Sequence, residues 1–453
     1  MAYAFTFDAS ACSGCKACQE ACKDKNNLPV GVLWRRVVEV SGGKWMAQNG
    51  AWTNNVFAYN LSITCNHCVH PKCAGVCPTD AYIQREDGIV YIDPEKCMGC
   101  GYCAWACPYN APRYDFDLGR MTKCNFCFDN IDAGLPPSCV AACPMRVLNF
   151  VSLTPTPLAE GEGQGVRVLW ELPANEHPFP LPTFSRTEPH LAVKPHAAIG
   201  NDLEKKISNF EEIHPKRQKS EAPLVAFTLL VQMAVGMFWA AQWMTDSIPF
   251  VPYLLIGACL GLGGFFSFAH LGAKRNAWRA PFHLKKSWLS REILLVGLFG
   301  ASWLVGFILP DMKWITSLLG VGLIYSMAKI YQLRPIPAWN TWRTTAGFFV
   351  TAALLGHAAM LNVSGVRSGG LAILVLLVAE LAMMLSAKSE SRWSVTSLRV
   401  GLILAALGMG ILLLVSNPPG VWMWIGPILF LLIAAEEIIG RMRFYAALDK
   451  RPL

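Results

Sequence analysis

The second half of the chain alternates long apolar stretches with short polar segments. Each stretch has about 20 residues, which is enough for a helix to cross a bilayer. We count eight, at roughly 223–244, 250–272, 291–309, 314–331, 344–363, 369–387, 397–416 and 421–440. The pattern predicts an all-α membrane bundle of eight transmembrane helices over residues 223–453.

The first 151 residues have no such stretches and read as a small α+β domain. Within PTDAYIQREDGIVYIDPEK, two short β-rich runs flank Asp87-Gly88, which is a strong hairpin signal. Residues 152–222 follow with many prolines and then a charged run, and no hydrophobic period persists in them. We interpret 152–222 as a proline-rich linker, serving either as a plain tether or as an arm that binds another subunit.

Cysteine is concentrated in the first domain. Sixteen of the 17 cysteines occur before residue 144, in four groups of four. The groups are Cys12, Cys15, Cys18, Cys22; Cys65, Cys68, Cys73, Cys77; Cys97, Cys100, Cys103, Cys107; and Cys124, Cys127, Cys139, Cys143. Sixteen thiolates can hold four cubane iron–sulfur clusters with four ligands each.

Two simpler explanations for these cysteines are less suitable. The start MAYAFTFDASAC has neither a basic region nor an apolar core typical of a signal peptide, so disulfides are not expected. Zinc sites use paired C-x2-C motifs, but the third and fourth cysteines do not have the spacing of a zinc finger. We therefore expect iron–sulfur clusters, and an electron-transfer role.

The spacing also suggests which cysteines share a cluster. In a C-x2-C-x2-C-x3-C run, three cysteines bind one cluster and the fourth binds its neighbour. The hairpin joins the second and third groups into one ferredoxin unit and leaves the first and fourth groups to pair. The predicted ligand sets are Cys12, Cys15, Cys18, Cys143; Cys22, Cys124, Cys127, Cys139; Cys65, Cys68, Cys73, Cys107; and Cys77, Cys97, Cys100, Cys103.

The motifs CNHCVHPKCAGVCPTDA and KCNFCFDNIDAGLPPSCVAACPMRVL resemble those of bacterial dimethyl sulfoxide reductase iron–sulfur subunits. These belong to the complex iron–sulfur molybdoenzyme family. Some of its branches have tryptophan at the position of Cys103 and hold a three-iron cluster there. The cysteine found here implies four [4Fe–4S] clusters. The resemblance also implies a partner subunit that carries a molybdenum bis-pterin cofactor.

The membrane half resembles the anchor subunit of the same enzymes. HLGAKRNAW, SWLSREI, YQLRPIPAWNT and EEIIGRMRFY carry this resemblance. The family anchor has eight spans and is usually a separate chain. The sequence therefore indicates an electron-transfer subunit fused to its membrane anchor.

Ionisable residues near the ends of the predicted spans are candidates for a quinol site. His270 ends the second span, Glu292 opens the third, and Arg275 and Arg279 lie between them. The resemblance implies that His270 and Glu292 bind quinol, and a base is needed there to accept its protons. Glu292 could instead interact with the helix dipole, and His270 with the interface. Glu380, Glu436 and Glu437 are weaker candidates, because polar contacts between helices explain them equally well.

Haem is not expected. His270 and His357 are the two histidines within predicted spans, and their depths differ by roughly 20 Å at 1.5 Å per residue. Electrons are then expected to pass directly from quinol, either menaquinol or ubiquinol, to a cluster. The partners predicted are the molybdopterin subunit and the membrane with its quinol pool, and no nucleic acid.

Charge predicts the orientation in a bacterial inner membrane. The loops on the side of the termini are rich in Lys and Arg, whereas the opposite loops offer Lys313 and Arg367. The positive-inside rule therefore predicts that the cluster domain and both termini are cytoplasmic.

Three functions remain open from the sequence. The chain could oxidise quinol and deliver electrons to a reductase for dimethyl sulfoxide or a similar acceptor. It could carry electrons in reverse, from a molybdenum dehydrogenase such as one for formate to quinone. A membrane scaffold or transporter with vestigial clusters is disfavoured by the complete set of cysteines.

Overall fold

The computed structural model describes residues 2–48, 50–153, 167–172, 177–182, 187–200, 204–208, 221–244, 248–364, 369–386, 393–415 and 419–450. These residues divide into two units. The first comprises 2–208 together with Gly272–Arg279, and the second comprises 221–271 and 280–450. The predicted loop position Arg367 and the charged run near the end of 152–222, at 216–219, lie outside the described residues.

The first unit is built from short elements separated by tight turns. Its strands are β1 (Ala2–Asp8), β2 (Arg36–Gly42), β3 (Trp45–Gln48), β4 (Ala51–Asn54), β5 (Phe57–Ile63), β6 (Tyr82–Gln84), β7 (Val90–Ile92), β8 (Arg113–Asp115), β9 (Arg120–Thr122), β10 (Leu148–Leu153), β11 (Arg167–Val168), β12 (Leu191–Lys194) and β13 (Lys205–Ser208). Its helices are α1 (Ala17–Lys25), α2 (Lys72–Val76), α3 (Tyr102–Ala106), α4 (Phe128–Asp132) and α5 (Ser138–Ala141). The α+β domain expected from the sequence is therefore present.

Two sheets and three hairpins organise this unit. One sheet has the order β10-β1-β12-β11 and the other the order β13-β2-β5. The predicted hairpin around Asp87-Gly88 forms as β6 and β7, and Gly88 adopts a positive φ of 78° in its turn. A continuous core of Phe5, Leu61, Tyr109, Phe126 and Leu148 lies between the sheets and the cysteine loops.

The proline-rich segment differs from a simple linker. Strand β12 pairs in parallel with β1, and β13 pairs antiparallel with β2. Ala192 and Val193 of β12 are almost fully buried. The described parts of 152–208 thus belong to the fold of the first unit. Their strands are too short, at two to four residues, to show a hydrophobic period.

The second unit is all-α. Its described helices are α6 (Ala222–Met244), α7 (Phe250–Ala269), α8 (Trp288–Gly306), α9 (Lys313–Tyr331), α10 (Trp342–Ser364), α11 (Gly369–Leu385), α12 (Trp393–Val415) and α13 (Pro419–Tyr445). These helices fall close to the eight predicted stretches. Six are long and apolar enough to cross a membrane, whereas α11 is shorter and α13 does not meet that criterion over its described residues.

Small residues allow the helices of this unit to pack closely. A Cβ atom on Gly236 of α6 would collide with the backbone of Ala352 in α10, and one on Gly356 would collide with Gly236. Close backbone contact at glycines is typical of helices in membranes. Gln232 of α6 adds a hydrogen bond to the Phe348 carbonyl at 2.8 Å.

Candidate metal centres

A repeated turn places the first two cysteines of each group. The residue just before the second cysteine has positive φ in all four groups: Gly14 (70°), His67 (43°), Gly99 (71°) and Phe126 (63°). Only glycine adopts this conformation at no cost, and other residues require roughly 1–3 kcal/mol from the surrounding structure. His67 and Phe126 nevertheless adopt this positive φ, which indicates that the shape of the loop is needed. In this shape the backbone curves around the first two cysteines of the group.

A second repeated turn follows the last cysteine of three groups. Asp80, Asn110 and Arg146 each stand three residues after a Cys-Pro cysteine, and each has positive φ. In two of these turns the next backbone N–H donates to the cysteine sulfur, from Ala81 to Cys77 Sγ at 3.4 Å and from Ala111 to Cys107 Sγ at 3.5 Å. Such N–H···S bonds stabilise a thiolate.

The first and fourth groups come together through α1 and α5. One cavity is lined by Cys12, Cys15, Cys18 and Cys143. Burial raises the pKa of Cys12, and the charges of Cys18, Cys143 and Cys15 raise it further. Cys22, one turn after Cys18 on α1, lies instead among the other thiols of the fourth group. Burial raises its pKa, and nearby Cys124, Cys139 and Cys127 add to the shift.

The second and third groups come together through α2 and α3. Cys65, Cys68, Cys73 and Cys107 line one cavity. Burial raises the pKa of Cys103, and so do Cys100, Cys97 and Cys77. Two of the predicted ligand sets thus line one cavity each, and the fourth cysteine of a group lies near cysteines of another group. The four ligand sets themselves stay a prediction.

Two buried cations lie between these assemblies. Burial alone would lower the pKa of Arg35, but Cys139, Cys18, Cys124 and Cys22 raise it overall. Burial also lowers the pKa of Lys123, but nearby Cys65, Cys73 and Cys124 raise this pKa by more, so that it is raised overall. Arg35 therefore faces both assemblies of the first and fourth groups. Lys123 faces the assembly that contains Cys65 and Cys73 and also the assembly that contains Cys124. Its Nζ donates to the Cys124 carbonyl at 2.8 Å.

The residues present fit an iron–sulfur cluster at each assembly. Four thiols converge, most of them buried, with N–H donors and buried cations to balance the negative charge. Thiolate is the ligand that such clusters use. Sequence reasoning did not single out Arg35 and Lys123, because nothing in their spacing separates them from surface residues.

One segment of the first unit is distant in sequence from the rest. Gly272–Arg279 begins three residues after the end of α7, yet packs on the loop of the third cysteine group. The Ala273 N–H donates to the Met98 carbonyl at 3.1 Å, and Asn276 Nδ2 donates to the Cys97 carbonyl at 2.9 Å. Arg275 pairs with Glu95 at 3.1 Å. The segment therefore contacts the backbone that carries Cys97.

The four candidate quinol residues fall into the two units. His270 follows the last residue of α7 and Glu292 lies in the second turn of α8, both buried in the second unit. Arg275 and Arg279 belong to the first unit, where Arg275 is 64% exposed beside Glu95 and Arg279 stacks on Trp278. His357 Nδ1 lies 2.8 Å from the Ala353 carbonyl of its own helix.

Comparison with known proteins gives the same division of the polypeptide. Residues 56–153 match the family model of a 4Fe-4S dicluster domain, and residues 217–391 match that of the dimethyl sulfoxide reductase anchor subunit. The protein is thus an iron–sulfur electron-transfer subunit joined to a membrane anchor.

Individual relatives support a more specific assignment. The B subunit of anaerobic dimethyl sulfoxide reductase from Escherichia coli is 44% identical over 195 residues, which cover 43% of this chain and 89% of that protein. The corresponding B subunit from Haemophilus influenzae is 41% identical over 214 residues, covering 47% and 98%. A thiosulfate reductase electron transfer subunit of Salmonella typhi is 37% identical over 163 residues, covering 36% and 82%. This chain therefore belongs to the family of dimethyl sulfoxide reductase iron–sulfur subunits, and it carries the anchor domain in the same polypeptide.

Proposed function

We propose that this chain oxidises quinol and passes the electrons through four [4Fe–4S] clusters to a molybdenum bis-pterin subunit. That partner would reduce dimethyl sulfoxide or a similar acceptor in anaerobic respiration. The observation that carries the proposal is the packing of Gly272–Arg279, the segment that follows an apolar helix, on the loop of Cys97. Within the first unit, the segment that continues from α7 thus contacts the backbone of a predicted cluster ligand.

The four assemblies support a continuous route through the first unit. Cys77, Cys97, Cys100 and Cys103 form the assembly that Gly272–Arg279 contacts. The next, Cys65, Cys68, Cys73 and Cys107, is joined to it by α2 and α3. Lys123 links it to Cys22, Cys124, Cys127 and Cys139, and Arg35 links that assembly to Cys12, Cys15, Cys18 and Cys143. When bound, the clusters supply one-electron transfer along this series.

Glu292 and His270 are the proposed quinol residues of the anchor. Oxidation of a quinol releases two protons and two electrons, and a base within reach of the hydroxyl groups is required. Glu292 is 3% exposed and His270 is 7% exposed, so neither is an ordinary surface residue. A buried ionisable residue in a membrane helix is costly and is retained for function.

We further propose that all eight helices span the bacterial inner membrane, with the cluster domain and both termini in the cytoplasm. The anchor family match and six qualifying helices support a membrane location. The charge asymmetry of the loops supports the orientation.

Quinol oxidation is tested with the full chain carrying its clusters, in detergent. Glu292→Gln should lower the rate at which a menaquinol analogue reduces the clusters at least tenfold, because glutamine cannot accept a proton. Reduction by dithionite, which needs no quinol site, should be unchanged. Glu204→Gln, an exposed carboxylate in the first unit, is the matched control. Normal quinol oxidation by the Glu292 variant would overturn this assignment.

The ligand sets are tested by paramagnetic resonance and iron analysis. The intact chain should contain about sixteen iron atoms, four for each cluster. Cys22→Ser and Cys124→Ser should alter the same cluster signal, and Cys12→Ser a different one. If Cys22→Ser and Cys12→Ser alter one common signal, the cross-ligation is wrong.

A further inference from the structure

The second unit contains a buried group of three carboxylates. Glu436 is 2% exposed, Glu437 4% and Glu380 8%. Glu380 lies on α11, and the other two are adjacent on α13. Oxygen atoms of all three lie within 4.8 Å of one another. We call this group the carboxylate triad.

One described guanidinium group, that of Arg399, forms ion pairs with the triad. Arg399 of α12 bonds Glu436 Oε1 at 2.6 Å and Glu380 Oε1 at 3.4 Å. Arg441 of α13 is directed to Gln232 Oε1 of α6 at 2.6 Å, and Thr351 of α10 donates to Glu437 Oε2 at 2.9 Å. Arg343 and Arg443 also line the cavity beside the triad, where they donate to the Ser386 carbonyl and to Thr396 Oγ1. Among the described side chains, Arg399 is therefore the guanidinium that bonds carboxylates of the triad directly. A buried carboxylate without a partner costs several kcal/mol, and the group instead binds a proton.

Unused acceptor atoms point to the same conclusion. Glu380 Oε2, Glu436 Oε2 and Glu437 Oε1 are buried and accept no hydrogen bond from the residues that the structure describes. Buried acceptors are almost always satisfied, so donors are needed here. A proton on one carboxyl group provides such a donor to its neighbour.

A large cavity connects the triad with exposed residues. It has a volume of about 760 Å³ and is lined at its buried end by Glu380, Glu437 and Arg441. Its wall also includes the exposed Ser386, at the end of α11. A cavity of this size, with charged side chains in part of its wall, has room for several waters, which can carry protons.

Further polar groups lie between Glu292 and the triad. The hydroxyl groups of Tyr331 (α9) and Tyr445 (α13) are hydrogen-bonded to each other and buried. Glu292 and Arg441 lie near this pair of phenols. Phe348 of α10 packs against Tyr331, and the Arg441 guanidinium carbon lies 4.0 Å from the centroid of the Phe348 ring. The described helices thus hold polar side chains near both Glu292 and Arg441.

We propose that the carboxylate triad is a proton-loading site, which takes up protons released by quinol and discharges them through the cavity. The inference rests on the proposed function, since it requires quinol oxidation at Glu292. For each quinol oxidised to quinone, two electrons go to the clusters. The two protons leave Glu292 through the Tyr331–Tyr445 pair, Glu437 and the cavity.

The test follows proton release and cluster reduction together. Full chain with its clusters is placed in vesicles, with a menaquinol analogue as donor and ferricyanide as acceptor, and a pH dye reports protons. Glu437→Gln and Tyr331→Phe should each slow proton release at least tenfold and increase the solvent deuterium effect on turnover. The KM for quinol should not change, because neither residue is placed at the quinol.

Matched controls are available in the same unit. Asp311→Asn changes an exposed carboxylate group, and Ser302→Ala removes a buried interhelical hydroxyl pair with Thr316 that is off the route. Both should behave as the unaltered protein does. Glu437→Asp should recover most of the lost rate, which a purely structural role for Glu437 would not produce.

A second measurement is independent of turnover. Infrared spectra should contain the carbonyl band of a protonated carboxyl group that shifts in D₂O and is lost in Glu380→Gln or Glu437→Gln. Stoichiometric Mn²⁺ binding that Glu380→Gln abolishes would overturn the proposal in favour of a cation site. Suppose that Glu292→Gln is inactive but that Glu437→Gln and Tyr331→Phe release protons at the normal rate. This result would refute the proton route and would still support the quinol site. An active Glu292→Gln would instead remove the proposed function itself.

Discussion

Arg35 and Lys123 show how single buried charges shape the first unit. Both side chains are at most 3% exposed, and both face thiols from two assemblies. Arg35 also contacts the Phe5 ring, with its guanidinium carbon 4.5 Å from the ring centroid, and donates to Ser62 at 2.9 Å. A fixed positive charge beside a cluster favours the reduced, more negative state. These two residues therefore act on electron transfer without binding metal.

Lys123→Met should lower the reduction potentials of the two clusters it faces, by on the order of 50–100 mV for a partly screened charge. A redox titration followed by paramagnetic resonance measures the shift. Lys194→Met, which removes a half-exposed cation paired with Asp8, should leave all potentials in place. Equal potentials in the Lys123 variant and the unaltered protein would contradict this electrostatic role.

Strand β12 is the element that makes the proline-rich segment part of the first unit. It lies between β1 and β11, and Ala192 at its centre is completely buried. The terminal strand β1 therefore has a neighbour on each side, β10 and β12. An alteration in β12 is expected to affect the fold near the first cysteine group, although the two are far apart in the sequence.

Ala192→Asp should destabilise the first unit by about 3 kcal/mol or more, because a carboxylate would be buried without a partner. Iron content and the thermal unfolding midpoint should both fall. Lys206→Asp on β13 is the control, since that side chain is exposed. A variant with aspartate at 192 and normal iron content would indicate that β12 is dispensable.

Segment Gly272–Arg279 is the second element with a clear test. A Cβ atom at Gly272 would collide with the Gly119 carbonyl and the Tyr114 hydroxyl, which are both in the first unit. Gly272→Ala should therefore displace the segment from the Cys97 loop. Cluster reduction by quinol should slow at least tenfold while reduction by dithionite stays normal. Gly261→Ala in α7, where the added methyl meets open space, should have no effect.

At the scale of the whole molecule, the sequence predicts the two kinds of structure and most of their elements. Apolar length locates the helices because a bilayer requires about 20 residues. The spacing of the cysteines predicts which of them share a cluster, and these ligand sets stay a prediction. The position of β12 was not predictable, since a four-residue strand gains its stability from distant neighbours. The carboxylate triad was recognised only as three separate glutamates, because the approach of α11 to α13 is set by packing.

The orientation of the whole molecule in the membrane remains a prediction with a direct test. A protease-sensitive tag at the C-terminus should be cut in inverted vesicles and protected in right-side-out vesicles, because basic loops stay in the cytoplasm. A tag inserted at Asp311, between α8 and α9, should show the reverse pattern. Cleavage of the C-terminal tag from the outside would overturn the cytoplasmic placement.

The interleaving of the cysteine groups has a consequence for synthesis on the ribosome. The two assemblies joined by α2 and α3 have all their cysteines once residue 107 has been made. The other two assemblies need Cys12–Cys22 together with residues 124–143. The thiols of Cys12–Cys22 therefore have no complete ligand set until most of the domain has been synthesised. Strand β1 can pair with its parallel partner β12 only after Lys194 has been synthesised. The start of the polypeptide is therefore expected to be the last part of the first unit to mature, and the part most dependent on protection while it is being made.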